Sequence, residues 1–439
     1  MPRTTMPFAV MAAFMAGSAL FAATVSDVTL VQDAHTRTVE VTYSVSDACV
    51  VTLDIQTNSA AGWISIGAEN LGPHLSGDVN VKVAAGNRKI RWQPDRSWSG
   101  HKIDGANARA VVTAWDLNDL PDYMVVDLIT TNSVFFYTSA AELPGGLGDA
   151  RYRRSHIAMR RVHAAQRPWR MGGRVGEPGQ IYVYYSTYTT NSASETPHEV
   201  TLTADYYMSV FEVTQGQYKQ VTKGNPSTFP GYEDSWARPV ENISWNTLRG
   251  AHWPDNVNPS ASSFFGKLRT HANIVDSFDL PTEAQWEYAC RAGTGAGLND
   301  GRDLGTTLDG NWFRKATELD RLAWSQNNAT SDTVDNVAQT HPVGLKPANA
   351  WGFYDMHGNV AEFCLDIYRA TMPADSVIDP IGPALVDTEY ASGSREYVNR
   401  GGSYAGYAHA SRCASRTKYN CTWPASSLGF RLCCKAEIK

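Results

Sequence analysis

Short runs of alternating apolar and β-branched residues recur along the first quarter of the chain. They include residues 28–31, 38–43, 50–55, 79–83, 88–92 and 109–114, with turn residues between them. Short strands at this spacing are typical of an all-β sandwich of the immunoglobulin or fibronectin type. The pattern therefore predicts a β-sandwich domain over residues 24–128. The Cys–Trp–Cys landmark of antibody domains is missing, so the prediction concerns the architecture alone and implies no chemistry.

One helical pattern in the second half of the chain has its own start and stop signals. Thr282 and Gln285 have the spacing of a capping box, in which the hydroxyl accepts a hydrogen bond from the third helical amide and the glutamine reaches back. Trp286 and Cys290 are four residues apart, so they share one face and are expected to point inward. Gly293 is placed to end the helix in the left-handed conformation.

Residues 129–150 are rich in Thr, Asn, Ser, Gly and Pro and are predicted to connect two domains. The segment after them is rich in arginine and contains Arg151, Arg153, Arg154, Arg160, Arg161, Arg167 and Arg170. The whole chain nevertheless has 38 basic and 44 acidic side chains, which give a net charge of −6. An acidic chain without an extended basic stripe makes nucleic acid a poor partner. We interpret the arginine-rich segment as a solvated stretch of chain.

The N-terminal residues have the pattern of a secretory signal peptide over residues 1–23. Arg3 supplies a positive charge, residues 6–22 are mostly apolar, and the run ends in small alanines. A membrane span needs about 20 apolar residues and this run is shorter, with no basic stop-transfer cluster after it. We therefore expect a secreted, periplasmic or cell-surface protein with no membrane span after signal removal. An uncleaved N-terminal anchor is the alternative.

Seven cysteines in an exported chain predict disulfides. Because seven is an odd number, at least one thiol is free or pairs outside the chain. Cys433 and Cys434 are neighbours whose Cα atoms lie about 3.8 Å apart, which is too close for an unstrained bridge between them. Each is expected to have a different partner, and the sequence leaves their pairing with Cys364 and Cys421 open.

An ordered set of motifs runs from residue 169 to residue 431. In order, the motifs are WRMGG at 169–173, HEVTL at 198–202, MSVFEVT at 208–214, PVENISW at 239–245, LPTEAQWEYACRAG at 280–293 and NAWGFYDMHGNV at 349–360. The C-terminal part continues with RGGSY at 400–404, RCASR at 412–416 and LGFR at 428–431. Together the motifs resemble the formylglycine-generating enzyme, or sulfatase-modifying factor, family over residues 151–436. Any single motif could arise by chance, but the ordered set is specific.

The resemblance implies an α+β domain with little regular secondary structure and a fold related to C-type lectins. It also implies an oxidase that converts a sulfatase cysteine to formylglycine, with a Cu(I) ion held by two thiols, the soft ligands that this ion prefers. Those thiols would lie between RGGSY and RCASR, but residues 404–411 contain no cysteine. Gly406 stands about where the first thiol would be. Copper is therefore not expected in this chain, which is predicted to be a pseudoenzyme.

The pocket that the resemblance places at this interval has other candidate residues, namely Ser403, Tyr404, Gly406, Tyr407 and His409. None of them is assigned a catalytic role. A serine hydroxyl cannot replace a thiolate as a ligand for a soft metal, and a lone histidine is not an iron site because such a site needs several ligands together. Cys421 folding back into the pocket is an alternative that the sequence leaves open.

The resemblance further implies a structural calcium site and a disulfide bridge. The family's calcium ligands align with Asp355, Gly358, Val360 and Glu362. Two carboxylates and two backbone carbonyls are a suitable oxygen set for calcium. A tight turn in which Asp355 caps a helix is the alternative interpretation. Cys290 and Cys413 align with a structural bridge of the animal enzymes and are expected to be joined.

Two functional hypotheses follow from the intact motifs and the missing thiols. The first is an exported protein with this fold that binds a polypeptide or a glycan in the family's groove, without copper and thiol chemistry, while the β-sandwich positions it. The alternative is an active formylglycine-generating oxidase whose thiols lie elsewhere. A structural surface or matrix protein is a third possibility that the sequence does not separate from the first.

Overall fold

The computed structural model describes residues 23–60, 62–71, 74–101, 103, 107–184, 187–190, 194–305, 317–330, 338–381 and 395–439. The predicted signal peptide therefore lies outside the described residues, except for Ala23. Within the described part of the chain, no helix has the length and apolar character needed to cross a membrane.

The N-terminal module consists of two antiparallel sheets that share one apolar core. Its elements are β1 (Val25–Gln32), β2 (Val39–Val45), β3 (Cys49–Ser59), β4 (Gly62–Ser65), α1 (Ala68–Leu71), β5 (Leu75–Gly77), β6 (Lys82–Val83), β7 (Gly86–Trp92), α2 (Pro94–Ser97) and β8 (Ala108–Trp115). One sheet has the order β1-β2-β7-β5, and the other has the order β4-β3-β6 with β8 paired to β3. Each predicted run overlaps an observed strand, although in the run at 79–83 the strand is limited to β6. The immunoglobulin or fibronectin type of this module stays a prediction.

The second domain is built mainly from short strands, with helices of nine residues or fewer among those described. Its strands are β9 (Tyr123–Asp127), β10 (Val134–Tyr137), β11 (His156–Val162), β12 (Arg167–Met171), β13 (Ile181–Tyr184), β14 (Thr187–Thr190), β15 (His198–Leu202), β16 (Tyr206–Ser209), β17 (Ala361–Ile367), β18 (Val377–Ile378), β19 (Glu396–Arg400), β20 (Arg416–Asn420), β21 (Leu428–Gly429) and β22 (Cys433–Lys435). Its helices are α3 (Arg151–Arg154), α4 (Gln215–Thr222), α5 (Trp245–Arg249), α6 (Phe264–His271), α7 (Glu283–Arg291) and α8 (Thr317–Asp320).

Three sheets of this domain carry its cores. Their orders are β10-β9-β11-β16-β22, β12-β15-β18 and β20-β19-β17-β21, while β13 and β14 form a separate hairpin. The largest apolar core joins the five-stranded sheet, through Met124 and Tyr207, to Phe264 and Leu268 of α6. Every residue of β17 is buried, because this strand lies between β19 and β21 and is covered on both faces.

The boundary between the two modules differs from the predicted one. Strand β9, which was assigned to the β-sandwich, pairs with β10 on one side and with β11 on the other. Strand β10 lies inside the stretch 129–150, which was expected to be a connection. Met124, Val126 and Phe136 of these strands are fully buried. The structure therefore places the boundary before β9, and the polar residues that suggested a linker belong to turns.

The arginine-rich segment is part of the folded domain, so its interpretation as a solvated stretch is wrong. Arg153 donates hydrogen bonds to the backbone oxygens of Val343, at 3.0 Å, and Leu147, at 2.8 Å. Arg161 forms ion pairs with Asp119 at 2.8 Å and Asp205 at 2.9 Å. Strand β11 within this segment pairs with β9 on one side and β16 on the other, so it is an internal strand of its sheet.

Helix α7 forms as its sequence predicts, with one difference at its end. The Thr282 side chain accepts a hydrogen bond from the Gln285 amide, and the Gln285 side chain accepts one from the Thr282 amide. Trp286 and Cys290 are fully buried. The left-handed residue that ends the helix is Ala292, with a φ of 47°, and Gly293 follows it with a φ of 92°.

Candidate functional site

The signature loop, residues 401–411, follows β19 and begins with two glycines in the left-handed region. Gly401 has a φ of 89° and Gly402 has a φ of 70°. A Cβ atom at Gly402 would overlap Ser411 Oγ and lie 3.0 Å from the Ala410 backbone oxygen. The two ends of the loop therefore touch at this position, and only glycine leaves room for the contact.

Backbone hydrogen bonds hold the middle of the signature loop. The Tyr404 amide donates to the Asn359 oxygen at 2.8 Å, and the Gly406 amide donates to the Ser403 oxygen at 2.9 Å. The Gly406 oxygen in turn accepts a hydrogen bond from the Gln326 amide at 3.1 Å. A loop tied to two other segments by its main chain presents its side chains in a fixed arrangement.

The structure brings the five predicted pocket residues together on this loop, but they do not share one environment. Ser403 and Tyr404 are buried. The Tyr404 hydroxyl lies 3.2 Å from Ser426 Oγ, and its ring packs edge-on against Phe229 at 5.7 Å. Gly406, Tyr407 and His409 are half-buried, and the rings of Tyr407 and His409 stack with centroids 6.1 Å apart. These last two residues supply the side-chain chemistry that the loop presents.

Buried ion pairs fix the segments that flank the loop. At its end, Arg412 is fully buried and lies 2.8 Å from carboxylate oxygens of both Glu177 and Glu195. At its start, Arg400 lies 2.8 Å from carboxylate oxygens of both Glu283 and Glu287 of α7. A charge buried without a partner would cost several kcal/mol, so these contacts determine where the loop can lie.

Glu283 is shared between two arginines. Its second oxygen lies 2.6 Å from Arg416, at the start of β20. Burial alone would raise the pKa of Glu283, but the charges of Arg416 and Arg400 outweigh it and hold the pKa below its ordinary value. Glu283 is therefore a carboxylate near neutral pH, and it joins α7 to the strands on both sides of the loop.

The thiols of the domain lie in its interior rather than on the loop. Cys290 and Cys413 are fully buried with their sulfur atoms 3.6 Å apart, and both are free thiols. The structure thus brings the predicted pair together without a bond, and their pairing stays a prediction. Cys421 donates its amide to the Arg395 oxygen at 2.8 Å and packs in the main core, so it does not fold back toward Ser403.

His357 lies beside this pair of thiols. Its ligand atoms and the two sulfurs are all within 4.8 Å of one another. Both ring nitrogens already have backbone partners, because Nε2 accepts from the Asn299 amide at 3.1 Å and Nδ1 lies within hydrogen-bond distance of the Ser411 oxygen. These contacts make His357 part of the packing between its turn and the end of the signature loop. Burial also holds the pKa of Cys290 well above its ordinary value.

A cluster of buried carboxylates lies beneath the loop, at the turn that leads into β17. Glu362 binds Arg431 through both oxygens, at 2.6 and 2.7 Å, and also accepts a hydrogen bond from Trp286 Nε1 at 2.7 Å. Glu212 accepts hydrogen bonds from the Asn359 side chain at 2.7 Å and from a backbone amide. The sequence did not single out Glu212 as a site residue, although it lies within the MSVFEVT motif.

Asp355 is the least satisfied member of this cluster. Its Oδ2 accepts a hydrogen bond from the Gly344 amide at 2.7 Å, whereas Oδ1 is buried and has no hydrogen-bond partner among the described residues. Burial raises the pKa of Asp355 to about 6, and the charge of Glu362 adds to the effect. Burial, with the charges of Asp355 and Glu362, also raises the pKa of Glu212 well above its ordinary value. The three carboxylates face the buried guanidinium of Arg431 and the partly buried guanidinium of Arg153, so the carboxylates outnumber the guanidinium groups at this turn.

The motifs that carry these contacts match one protein family. A model of the sulfatase-modifying factor enzyme 1-like domain matches residues 174–436, more than half of the chain. The chain belongs to the sulfatase-modifying factor family. The resemblance inferred from the ordered motifs is thereby confirmed.

Three relatives of this family member illustrate the range of proteins that share the domain. The chaperone protein LppX of Paenibacillus barcinonensis is 30% identical over 212 residues, which are 42% of this chain and 70% of the relative. The formylglycine-generating enzyme of Mus musculus is 28% identical over 207 residues, or 44% of this chain and 51% of the enzyme. The formylglycine-generating enzyme of Bos taurus is 32% identical over 206 residues, which are 44% of this chain and 50% of the enzyme. The chain thus spans about half the length of these two enzymes.

Two solved structures are similar to this member of the sulfatase-modifying factor family. Treponema denticola variable protein 1 has a TM-score of 0.44 and 28% identity, with 64% of this chain and 95% of that protein covered. PvdO from Pseudomonas aeruginosa has a TM-score of 0.44 and 21% identity, with 63% of this chain and 94% of PvdO covered.

Replacing Gly402 by alanine tests the closure of the signature loop in this family member. Gly146 is the matched control, because its φ of 68° is close to the 70° of Gly402 but a Cβ atom there would meet nothing within 4 Å. Gly146→Ala is expected to lower the free energy of unfolding by about 1–2 kcal/mol, from the left-handed backbone alone. Gly402→Ala is expected to lower the free energy of unfolding by about 1–3 kcal/mol more than Gly146→Ala does, because the added methyl group overlaps Ser411 and Ala410.

Urea unfolding followed by tryptophan fluorescence measures both losses. Equal losses in the two variants would show that the loop does not close as described.

Proposed function

We propose that this chain is an exported member of the sulfatase-modifying factor family that binds a polypeptide or a glycan at the signature loop, without copper and thiol chemistry. The observation that carries the proposal is the loop itself. Residues 404–411 contain no cysteine, yet the loop is tied to its scaffold by the same motifs that identify the family.

The positions of the remaining thiols support a role other than copper oxidation. A Cu(I) site of two thiolates needs both sulfurs at a place that substrate can reach. Cys290, Cys413 and Cys421 are each fully buried, and Cys421 lies in the main core. Burial holds the pKa of Cys290 well above its ordinary value and keeps this thiol protonated near neutral pH, whereas the contacts with Cys290 and His357 outweigh burial and hold the pKa of Cys413 well below its ordinary value. The buried pair therefore does not offer the two accessible thiolates that such a site needs.

The loop has features that suit recognition. Tyr407 and His409 are partly exposed side chains on a main chain that is already ordered. Fixing them on ligand binding would therefore cost little conformational entropy. An aromatic ring with a polar edge contacts both peptide and sugar groups. A relative that is named a chaperone favours a polypeptide among the two ligand classes. The N-terminal module would then act as a spacer or docking unit.

Replacing Tyr407 by alanine tests the binding proposal. The purified full chain is applied to peptide and glycan arrays, and any ligand found is titrated against the wild type and the variant. We expect Tyr407→Ala to weaken binding at least about tenfold, because a central aromatic contact is worth more than about 1.4 kcal/mol. Trp63→Ala is the control, since Trp63 is an exposed aromatic residue of the N-terminal module.

An array without any ligand, or equal binding by the two variants, would contradict the proposal. The alternative function is tested in parallel by incubating the chain with copper and a peptide containing the sulfatase motif Cys-x-Pro-x-Arg. We expect no change in peptide mass, and conversion of the peptide thiol to an aldehyde would establish the oxidase instead.

We also propose that a calcium ion binds at the turn before β17. The carboxylates of Asp355 and Glu362 and the backbone oxygens of Gly358 and Val360 would hold it, as the family resemblance implies. The unpartnered Asp355 Oδ1 and the excess of buried carboxylates support this assignment. Calcium would supply charge compensation at the turn that carries Asn359, which hydrogen-bonds the signature loop.

Removing calcium and restoring it tests this site. After treatment with EDTA, added calcium is expected to raise the Tm of the wild type, because a ligand at a hundredfold excess over its Kd adds about 2.7 kcal/mol. Asp355→Asn is expected to abolish this response. Asp300→Asn is the control, since Asp300 pairs only with Arg302 and Arg321 among the described charged groups. An unresponsive wild type, or an equal response in Asp355→Asn, would show that calcium does not bind there.

A further inference from the structure

A cavity of about 380 Å³ opens on a different part of the domain from the signature loop. It lies beside β15, β17 and the short strand β18. Much of its lining is apolar and comes from Met171, Ala284, Met372, Pro373, Val377 and Ile381. Its volume is within the range of pockets that hold small molecules.

Two polar side chains of this cavity have unused hydrogen-bond acceptors. His198 Nδ1 lies 2.9 Å from the Thr196 oxygen, and because a carbonyl only accepts, Nδ1 carries the proton and Nε2 is an acceptor. Nε2 is buried and has no hydrogen-bond partner among the described residues. Asp366 is 3% exposed, and its Oδ2 accepts a hydrogen bond from the Glu283 amide at 2.6 Å. No other hydrogen bond to the Asp366 carboxylate is present among the described residues, so its second oxygen remains for a ligand.

The other charged residues of the cavity are already engaged or lie at its opening. Arg416 and Glu283 pair with each other at 2.6 Å. Asp379 accepts hydrogen bonds from Thr203, and Arg369 is exposed. The interior therefore offers hydrogen-bond acceptors and a carboxylate, and it lacks an unpaired donor among the described lining residues.

The opening of the cavity is unusually apolar for a protein surface. Ile378 is 69% exposed and Ile381 is 45% exposed, and both line the cavity. Large aliphatic side chains clustered at the mouth of a pocket mark a surface that binds apolar groups. A ligand that enters there would have an aliphatic part near the opening and a hydrogen-bond donor in the interior.

We propose that this cavity binds an alkylammonium group, with the aliphatic chain against the methionine and isoleucine side chains and the protonated amine between Asp366 and His198. A metal ion is a poorer occupant, because His198 and Asp366 have no third ligand that completes a metal-binding group among the described residues. The pKa of Asp366 is raised to about 7 by burial and by the charge of Glu283. The charges of Arg416 and Arg400 only partly offset these effects, so a cation between the two acceptors would stabilise the carboxylate further.

Calorimetric titration of the full chain with hexylammonium tests the proposal. Hexanol and hexanoate are the matched probes, since they keep the chain length and replace the ammonium by a neutral or an anionic head. We expect hexylammonium to bind at least tenfold more tightly than either probe. A carboxylate and a neutral acceptor favour a donor that is positively charged, and they repel an anion.

Three variants locate the binding. Asp366→Asn keeps an oxygen for the Glu283 amide but removes the charge, and it is expected to weaken hexylammonium binding at least tenfold. Met372→Trp is expected to block binding by filling the cavity while leaving both acceptors in place. Asp276→Asn, at an exposed aspartate in a separate cavity, is expected to change nothing.

Thermal unfolding verifies that each variant is folded before it is titrated. The proposal is overturned if the wild type does not bind hexylammonium, if hexanol binds equally well, or if Asp366→Asn binds as the wild type does. The result is independent of the signature loop, so the Tyr407→Ala variant should still bind the amine.

Discussion

Buried arginines paired with carboxylates from distant segments hold the second domain together. The arginines are Arg400, Arg412, Arg416 and Arg431, and each lies within 2.6–2.8 Å of a carboxylate oxygen. Those carboxylates come from α7, β17 and the segments that hold Glu177 and Glu195. Because a buried charge without a partner is costly, the fold has to bring all these segments to the C-terminal motifs. The signature loop lies between two of these pairs and takes its position from them.

This constraint explains why the signature loop keeps its shape without a contact from a cysteine side chain. The arginine pairs, the two glycines and the backbone hydrogen bonds of Tyr404 and Gly406 fix the loop, and a cysteine contributes to none of these contacts. The loop is therefore a shaped surface that carries Tyr407 and His409. The buried carboxylates at the turn before β17 support the same loop from below, through Asn359.

Local signals predicted much of what is local in this structure. The capping box of α7 and the strands of the N-terminal module follow from neighbouring residues, and the ordered motifs identify the family. Glu177 and Glu195, by contrast, lie in segments without a motif, and only the folded chain brings them to Arg412. The domain boundary was misplaced for a similar reason, because β9 and β10 belong to the second domain through pairing with β11, which no local pattern specifies.

The free energy of unfolding of Glu283→Gln, measured by urea titration near neutral pH, tests the role of the buried ion pairs most directly. The variant removes the negative charge that faces two buried arginines, so its free energy of unfolding is predicted to be about 3–5 kcal/mol lower than that of the wild type. Glu437→Gln is the control at an exposed ion pair, and it should change the free energy of unfolding by less than about 0.5 kcal/mol. The pKa of Glu283 is lower in the folded protein than its ordinary value of 4.5. The stability that the Glu283 charge contributes is therefore fully present above pH 4.5, and it is lost as the pH falls through the lowered pKa. The difference in the free energy of unfolding between the wild type and Glu283→Gln should therefore become smaller in acid. A loss near that of the control, or one that persists unchanged in acid, would contradict the account.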